Sequence, residues 1–374
     1  MAFHRSIVVC ATMLGGAGCG GSVAATSGGP VHDADAPSID GATPVVTDDA
    51  SPPSPPPTPE IDSGSTPGDG ASVEAATSDA TDPFPAEPPP YPKYSGGTCP
   101  KLSWGSTSDS SVVDGFVSSG DKRSFRLLVP KSYDATKKYP VMFAWHWLNA
   151  SSASFVRDGE LETAVEQMQF IAVLPDDLKD DKGKKAYTLD WPFAETWGAP
   201  KELTFFDDLL ACVDQQLSVD HARVYGVGVS AGGLWVSYLS TTPHVKWLAA
   251  VESLSGGLGE EPIGFKMTYA PQPNKFPALV LWGGPSDWLG LSFQDASTRY
   301  RDALIADHHF VVTCTHDKGH AMPPIPSPGD GTTKFKPLWE FMLDHTYGLP
   351  AGTSPYQKTG LPKDMPSWCK IATP

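Results

Sequence analysis

Between residues 20 and 95 the chain has no tryptophan and no leucine, one phenylalanine and two tyrosines. It holds instead 16 of the protein's 38 prolines, with SPPSPPPTP at 51–59 as the extreme. Such a segment buries too little apolar surface to offset the entropy of ordering it, so it reads as an extended or disordered tether. Positive charge is scarce there too, with 12 acidic residues against a single lysine. Most of the formal net charge of −16 therefore belongs to this segment. Self-repulsion extends it, and nucleic acid and anionic lipid are disfavoured as its partners. No internal repeat is evident. The N-terminal apolar stretch, IVVCATMLGGAG after MAFHRS, is too short to span a bilayer. Its charged start and small-residue end mark an export signal.

The sequence GAGC at 16–19 resembles the bacterial lipobox, with Gly16 at a position that usually carries leucine and Leu14 nearby. Lipidation of Cys19 is expected, which makes a lipid anchor the only membrane contact and places the protein outside the cell or on its surface as a tethered lipoprotein. Three regions follow: an export signal over 1–19, a tether over 20–95 and one globular domain over 96–374. Four cysteines remain in that domain, Cys99, Cys212, Cys314 and Cys369. An even number in an exported domain suggests up to two disulfides. Cys99 opens the domain and Cys369 closes it, so a staple joining the two ends is the first expectation. Cys212, within FFDDLLACVDQQL, reads alternatively as a small buried hydrophobe.

Short apolar, β-rich runs occur at 124–130, 141–147, 170–175, 222–229, 248–254, 278–284 and 309–315. Helical spacing fills 153–169, 202–217, 231–241, 295–307 and 335–346. Strands alternating with helices predict an α/β fold, a mostly parallel central sheet with helices on both faces. The runs are apolar throughout, as strands covered on both sides must be.

In that frame GVGVSAGG at 226–233 becomes informative. A strand entering a sharp turn as G-x-S-x-G, here Gly228, Ser230 and Gly232, matches the nucleophile elbow of α/β-hydrolases. Small neighbours let strand and helix close on a strained turn that lifts the serine hydroxyl clear. A serine hydroxyl needs a base, and the base an orienting acid, which follow in this fold in the order acid, then histidine. PSDWLG places Asp287 after one predicted strand, and HDKGHAMPP places His320 after the next. Glu252 and Asp295 are fallback acids, and His316 is a rival base. A metal reading of His308, His309, His316, Asp317 and His320 is weaker, because a strand and a loop separate them. Neither metal nor cofactor is expected. The developing oxyanion needs two backbone N–H donors, assigned to Ala231 and Trp147, with Leu148 as the alternative to the latter.

RVYGVGVSAGG (223–233), the histidine in FAWHW (143–147), WGGPSD (282–287) and GHAMP (319–323) together resemble secreted serine esterases of the polyhydroxybutyrate depolymerase and feruloyl esterase type. The resemblance spans roughly 120–345 and implies a cofactor-free Ser230–His320–Asp287 esterase. Ala231 stands where Asn or Met is frequent in that group, and His146-Trp147 where His-Gly is usual. The irregular stretch YTLDWPFAETWGAP (187–200) reads as a loop lining the substrate cleft. Substrate-binding positions are therefore expected at His146, Trp191, Trp197 and Trp288. The substrate is an ester, feruloyl or acetyl esters of polysaccharide or a polyhydroxyalkanoate, and the protein is expected to be a monomer. The alternatives are a non-catalytic surface-binding lipoprotein on the same fold and a peptidase of that fold.

Overall fold

The computed structural model describes residues 87–193, 198–260 and 266–373. The export signal, Cys19 and Trp197 lie outside the described residues. The runs VMFAW and IAVLP carry apolar side chains on both faces, and in the fold both faces are covered. Strands β1 (Val112–Ser118), β2 (Asp121–Leu128), β3 (Tyr139–Trp145), β4 (Ile171–Pro175), β5 (Val219–Val229), β6 (Ala250–Leu254), β7 (Ala278–Trp282), β8 (Val311–Thr315) and β9 (Cys369–Ile371) form one sheet. Their order is β1-β2-β4-β3-β5-β6-β7-β8-β9. Pairing is parallel from β4 through β8 and antiparallel at both margins.

Alternation along each strand divides the core. Val141, Phe143 and Trp145 join one apolar layer with helices α3 (Ala199–Gln216), α4 (Ala231–Ser240) and α5 (Phe293–Ala306). Met142 and Ala144 join the other, with α1 (Ser152–Asp158), α2 (Leu161–Met168) and α6 (Lys336–Leu343). A last short helix, α7 (Tyr356–Thr359), precedes β9. The single helix expected over 153–169 is two, because Gly159 and left-handed Glu160 (φ 52°) interrupt it.

Two expectations are corrected. The disulfides join Cys99 to Cys212 and Cys314 to Cys369, so Cys99 and Cys369 do not staple the termini to each other. Cys314 lies directly opposite Cys369 in the antiparallel pair β8–β9, which sequence spacing does not reveal. The second concerns residues 87–95, assigned to the tether on composition. Tyr94 is buried and donates its hydroxyl to Val117 O (2.5 Å). Asp208 accepts from Ser95 N (2.6 Å) and Ser95 Oγ (2.7 Å), and Trp247 Nε1 donates to Pro90 O (3.2 Å). Tyr94, Ser95 and the Pro90 carbonyl thus give the end of a proline-rich stretch enough contacts to pack.

In the parallel register Trp145 pairs with Gly228, Gly228 with Ser253, Leu254 with Leu281 and Trp282 with Thr315. The strands therefore end level, and the segments after β3, β5, β6, β7 and β8 emerge at one carboxyl edge, where ligands of open α/β sheets bind.

Candidate active site

Ser230 follows β5 directly and caps α4, with φ 56° and ψ −116°. This is a costly conformation for a residue with a Cβ, tolerated where the surroundings fix it. The flanking glycines supply that fit. A Cβ on Gly228 would lie 2.0 Å from Gly232 O, and one on Gly232 would lie 2.1 Å from Trp145 O. No side chain fits at either place. Ser230 N donates to Leu254 O (2.8 Å), which ties the turn to the end of β6.

Ser230 Oγ lies 2.8 Å from His320 Nε2, and His320 Nδ1 lies 2.7 Å from Asp287 Oδ1. A carboxylate only accepts, so Nδ1 carries the proton and Nε2 is left to accept from the serine. Asp287 has no exposed side-chain surface, whereas His320 keeps 18 %. The Phe293 ring stacks on His320, centroids 4.3 Å apart. The second carboxylate oxygen, Asp287 Oδ2, accepts from Gly283 N (2.7 Å) and Ser255 Oγ (2.8 Å). Burial pushes the Asp287 carboxyl up, but the bonds from His320, Gly283 and Ser255 outweigh it and hold it below the ordinary aspartate range.

Ser255 escaped the sequence reading. It sits one residue past β6, with φ 44°, and only the parallel register brings it under the β7 loop. The other titratable residues considered go elsewhere. Glu252 is wholly buried within β6, and burial alone raises its carboxyl well above the usual range. Asp295 is an exposed first-turn residue of α5. His316 accepts from Lys318 N (3.1 Å), lies against the Trp368 ring and is pulled down by burial. His309 is bonded to Phe276 O (2.8 Å), away from His320.

The residues expected to bind substrate divide. Trp288 is 64 % exposed on the loop carrying Asp287, beside exposed Leu289, and Met322 is exposed two residues after His320. His146 and Trp191 are fully buried, and present no face to a substrate. Trp191 turns inward because its Nε1–H donates to His146 O (2.9 Å) and its ring packs on the His146 ring, 4.9 Å away. Trp147 is half-buried beside Phe155. Its place between β3 and α1 puts it next to the nucleophile turn, since Gly232 packs on Trp145 O.

No protein-family model matches the chain. It is 28 % identical over 247 residues to feruloyl esterase C of Emericella nidulans, covering 59 % of this chain and 84 % of that one. A probable feruloyl esterase C of Aspergillus flavus is 30 % identical over 156 residues, 38 % of this chain and 52 % of that protein, so that match spans about half its length. Among solved structures, native sOPH superposes with a TM-score of 0.54 at 18 % identity, over 75 % of this chain and 97 % of that one. Native pOPH gives 0.54 at 16 %, over 73 % and 97 %. The structural likeness is one of fold, the α/β-hydrolase fold. Homology to feruloyl esterases on that fold supports a carboxylic ester hydrolase.

Proposed function

We propose that this ester hydrolase works through an acyl-enzyme on Ser230, with His320 as base and Asp287 as its orienting acid. The observation carrying the reading is the unbroken chain of hydrogen bonds, 2.8 Å and then 2.7 Å, from hydroxyl to imidazole to carboxylate. As Ser230 Oγ attacks the ester carbonyl, His320 Nε2 takes its proton. The tetrahedral oxyanion rests on backbone N–H groups, Ala231 at the start of α4 and Trp147 after β3. His320 then gives the proton to the departing alkoxide, and the acyl group stays on Ser230. Water then attacks the acyl carbonyl and loses a proton to His320, which passes it to Ser230 Oγ as the acid is released. Asp287 stays ionised throughout and stabilises the imidazolium formed at each step. No cofactor takes part.

The acyl or alcohol group is apolar and bulky, feruloyl or hydroxyalkanoyl in class. What favours this is the exposed apolar rim, Trp288, Leu289 and Met322, on the two loops that carry the acid and the base. Two disulfides fit an oxidising compartment, and export with lipidation at Cys19 completes the proposal of a tethered extracellular monomer. Hydrolysis of methyl ferulate, p-nitrophenyl acetate and hydroxybutyrate oligomers by the wild type and Ser230→Ala tests it. The wild type is expected to cleave at least one of them, and the variant to lose roughly 10³-fold or more while staying folded. Equal rates in the two proteins would remove the serine from the mechanism.

A further inference from the structure

The loop that donates to the oxyanion runs from His146 to Asn149, and every peptide unit in it is held by a buried or half-buried group. Trp191 Nε1 donates to His146 O (2.9 Å). That carbonyl and the N–H of Trp147 belong to one planar trans peptide, so a donor on the oxygen fixes where the N–H points. The next peptide is fixed likewise. A carbonyl only accepts, so His146 Nδ1 carries a proton and donates it to Trp147 O (2.9 Å), and Ala150 N donates to the same oxygen (3.1 Å). Fixing Trp147 O fixes the direction of Leu148 N–H.

One residue on, Asn149 adopts φ 60°, a left-handed conformation that needs support. Asp190 provides it. This fully buried carboxylate accepts from Asn149 N (2.7 Å) through Oδ2 and pairs through Oδ1 with Lys185. Lys185 Nζ also donates to Asn149 Oδ1 (2.9 Å). On the far side, His146 Nε2 faces Asp177 Oδ1 at 3.9 Å. Asp190 and Trp191 are adjacent, so two consecutive side chains of the β4–α3 connection grip the two ends of the His146–Asn149 turn.

We propose that Asp190 and Trp191 are positioning residues for ester hydrolysis, holding the backbone donors of the 146–149 turn in line with the oxyanion. The inference rests on the serine-esterase reading above. The long connection after β4 is then a brace behind the active site. A preorganised donor contributes only in the transition state, so loosening it lowers kcat and leaves ground-state binding in place.

Trp191→Phe keeps the packed ring and removes the one N–H, and Asp190→Asn keeps the shape and removes the charge. For each, kcat and KM on a p-nitrophenyl ester, the rate of fluorophosphonate inactivation and the thermal midpoint are measured. Trp191→Phe is expected to lower kcat and the inactivation rate together by roughly 10-fold, with KM within about 2-fold and the protein folded at assay temperature. Asp190→Asn is expected to shift the same two rates in the same direction. Wild-type kcat in both variants overturns the proposal, as does a loss matched by the fraction unfolded or a change confined to KM. Failure of the wild type itself to hydrolyse any ester or to react with fluorophosphonate would instead remove the reading on which it rests.

Discussion

Ser230 and its partners were legible because topology dictates them. In a parallel sheet read from seven apolar runs, the residues after β5, β7 and β8 must meet at one edge, and the order serine, acid, histidine selects Asp287 and His320. His320 could be preferred to His316 because it lies deeper in the loop, and the structure places the latter against Trp368 instead. Ser255 had no such signal, since nothing in LSGG marks a serine that bonds to a loop 32 residues away. Its removal has a definite sign. Asp287 is held below its ordinary range, so the stability it contributes is present above its unfolded-chain pKa and is lost as pH falls through the lowered folded value. Ser255→Ala deletes one of the bonds that lower it. It should cost about 1.5–3 kcal/mol near neutral pH, and acid unfolding followed by fluorescence should begin at a higher pH than in the wild type.

At the scale of elements, the sequence is read best where strands are apolar throughout and worst where they are short or mixed. Neither β1, with Asp114 and Gly115 inside it, nor the three-residue β9 has a continuous run to announce it. The disulfide pairing was missed with β9, since Cys369 faces Cys314 only once that strand is known to be antiparallel. Trp191 misled for a related reason. An aromatic-rich loop suggests a substrate platform, but an indole N–H seeks a buried acceptor, and here the His146 carbonyl supplies one. Glu252 is the opposite case, a carboxyl in the middle of β6 whose pKa burial raises well above normal. The unfolded chain releases that proton first, near pH ~4.3, so folding stability falls as pH rises from there toward the folded value. Replacing Glu252 by Gln should remove that slope. Urea unfolding at pH 5 and pH 8 should show the variant gaining stability over the wild type at the higher pH, and an equal difference at both would contradict the assignment.

For the whole molecule, composition separates two kinds of chain, and the structure moves the border between them. The acidic, proline-rich stretch carries most of the net charge, while a sheet with apolar layers on both sides carries the site. Tyr94 and Ser95 belong to the packed body, and Cys99 fastens that strap to α3 through Cys212. A chain beginning at residue 87 should therefore keep kcat/KM on a soluble ester within about 2-fold of the full-length protein, because the site and its supports remain. One beginning at residue 97 loses the bonds to Asp208 and Val117, and its thermal midpoint should drop by several degrees, roughly 2–4 °C for each kcal/mol lost. Equal midpoints would return residues 87–95 to the tether.

The central claim is that the hydroxyl of Ser230 is activated by the His320–Asp287 pair, and covalent labelling reads this directly. A fluorophosphonate probe followed by peptide mapping should modify Ser230 alone, at a rate that drops by roughly 10²-fold or more in His320→Ala. Labelling of a different serine, or a rate on Ser230 unchanged in His320→Ala, would contradict the account.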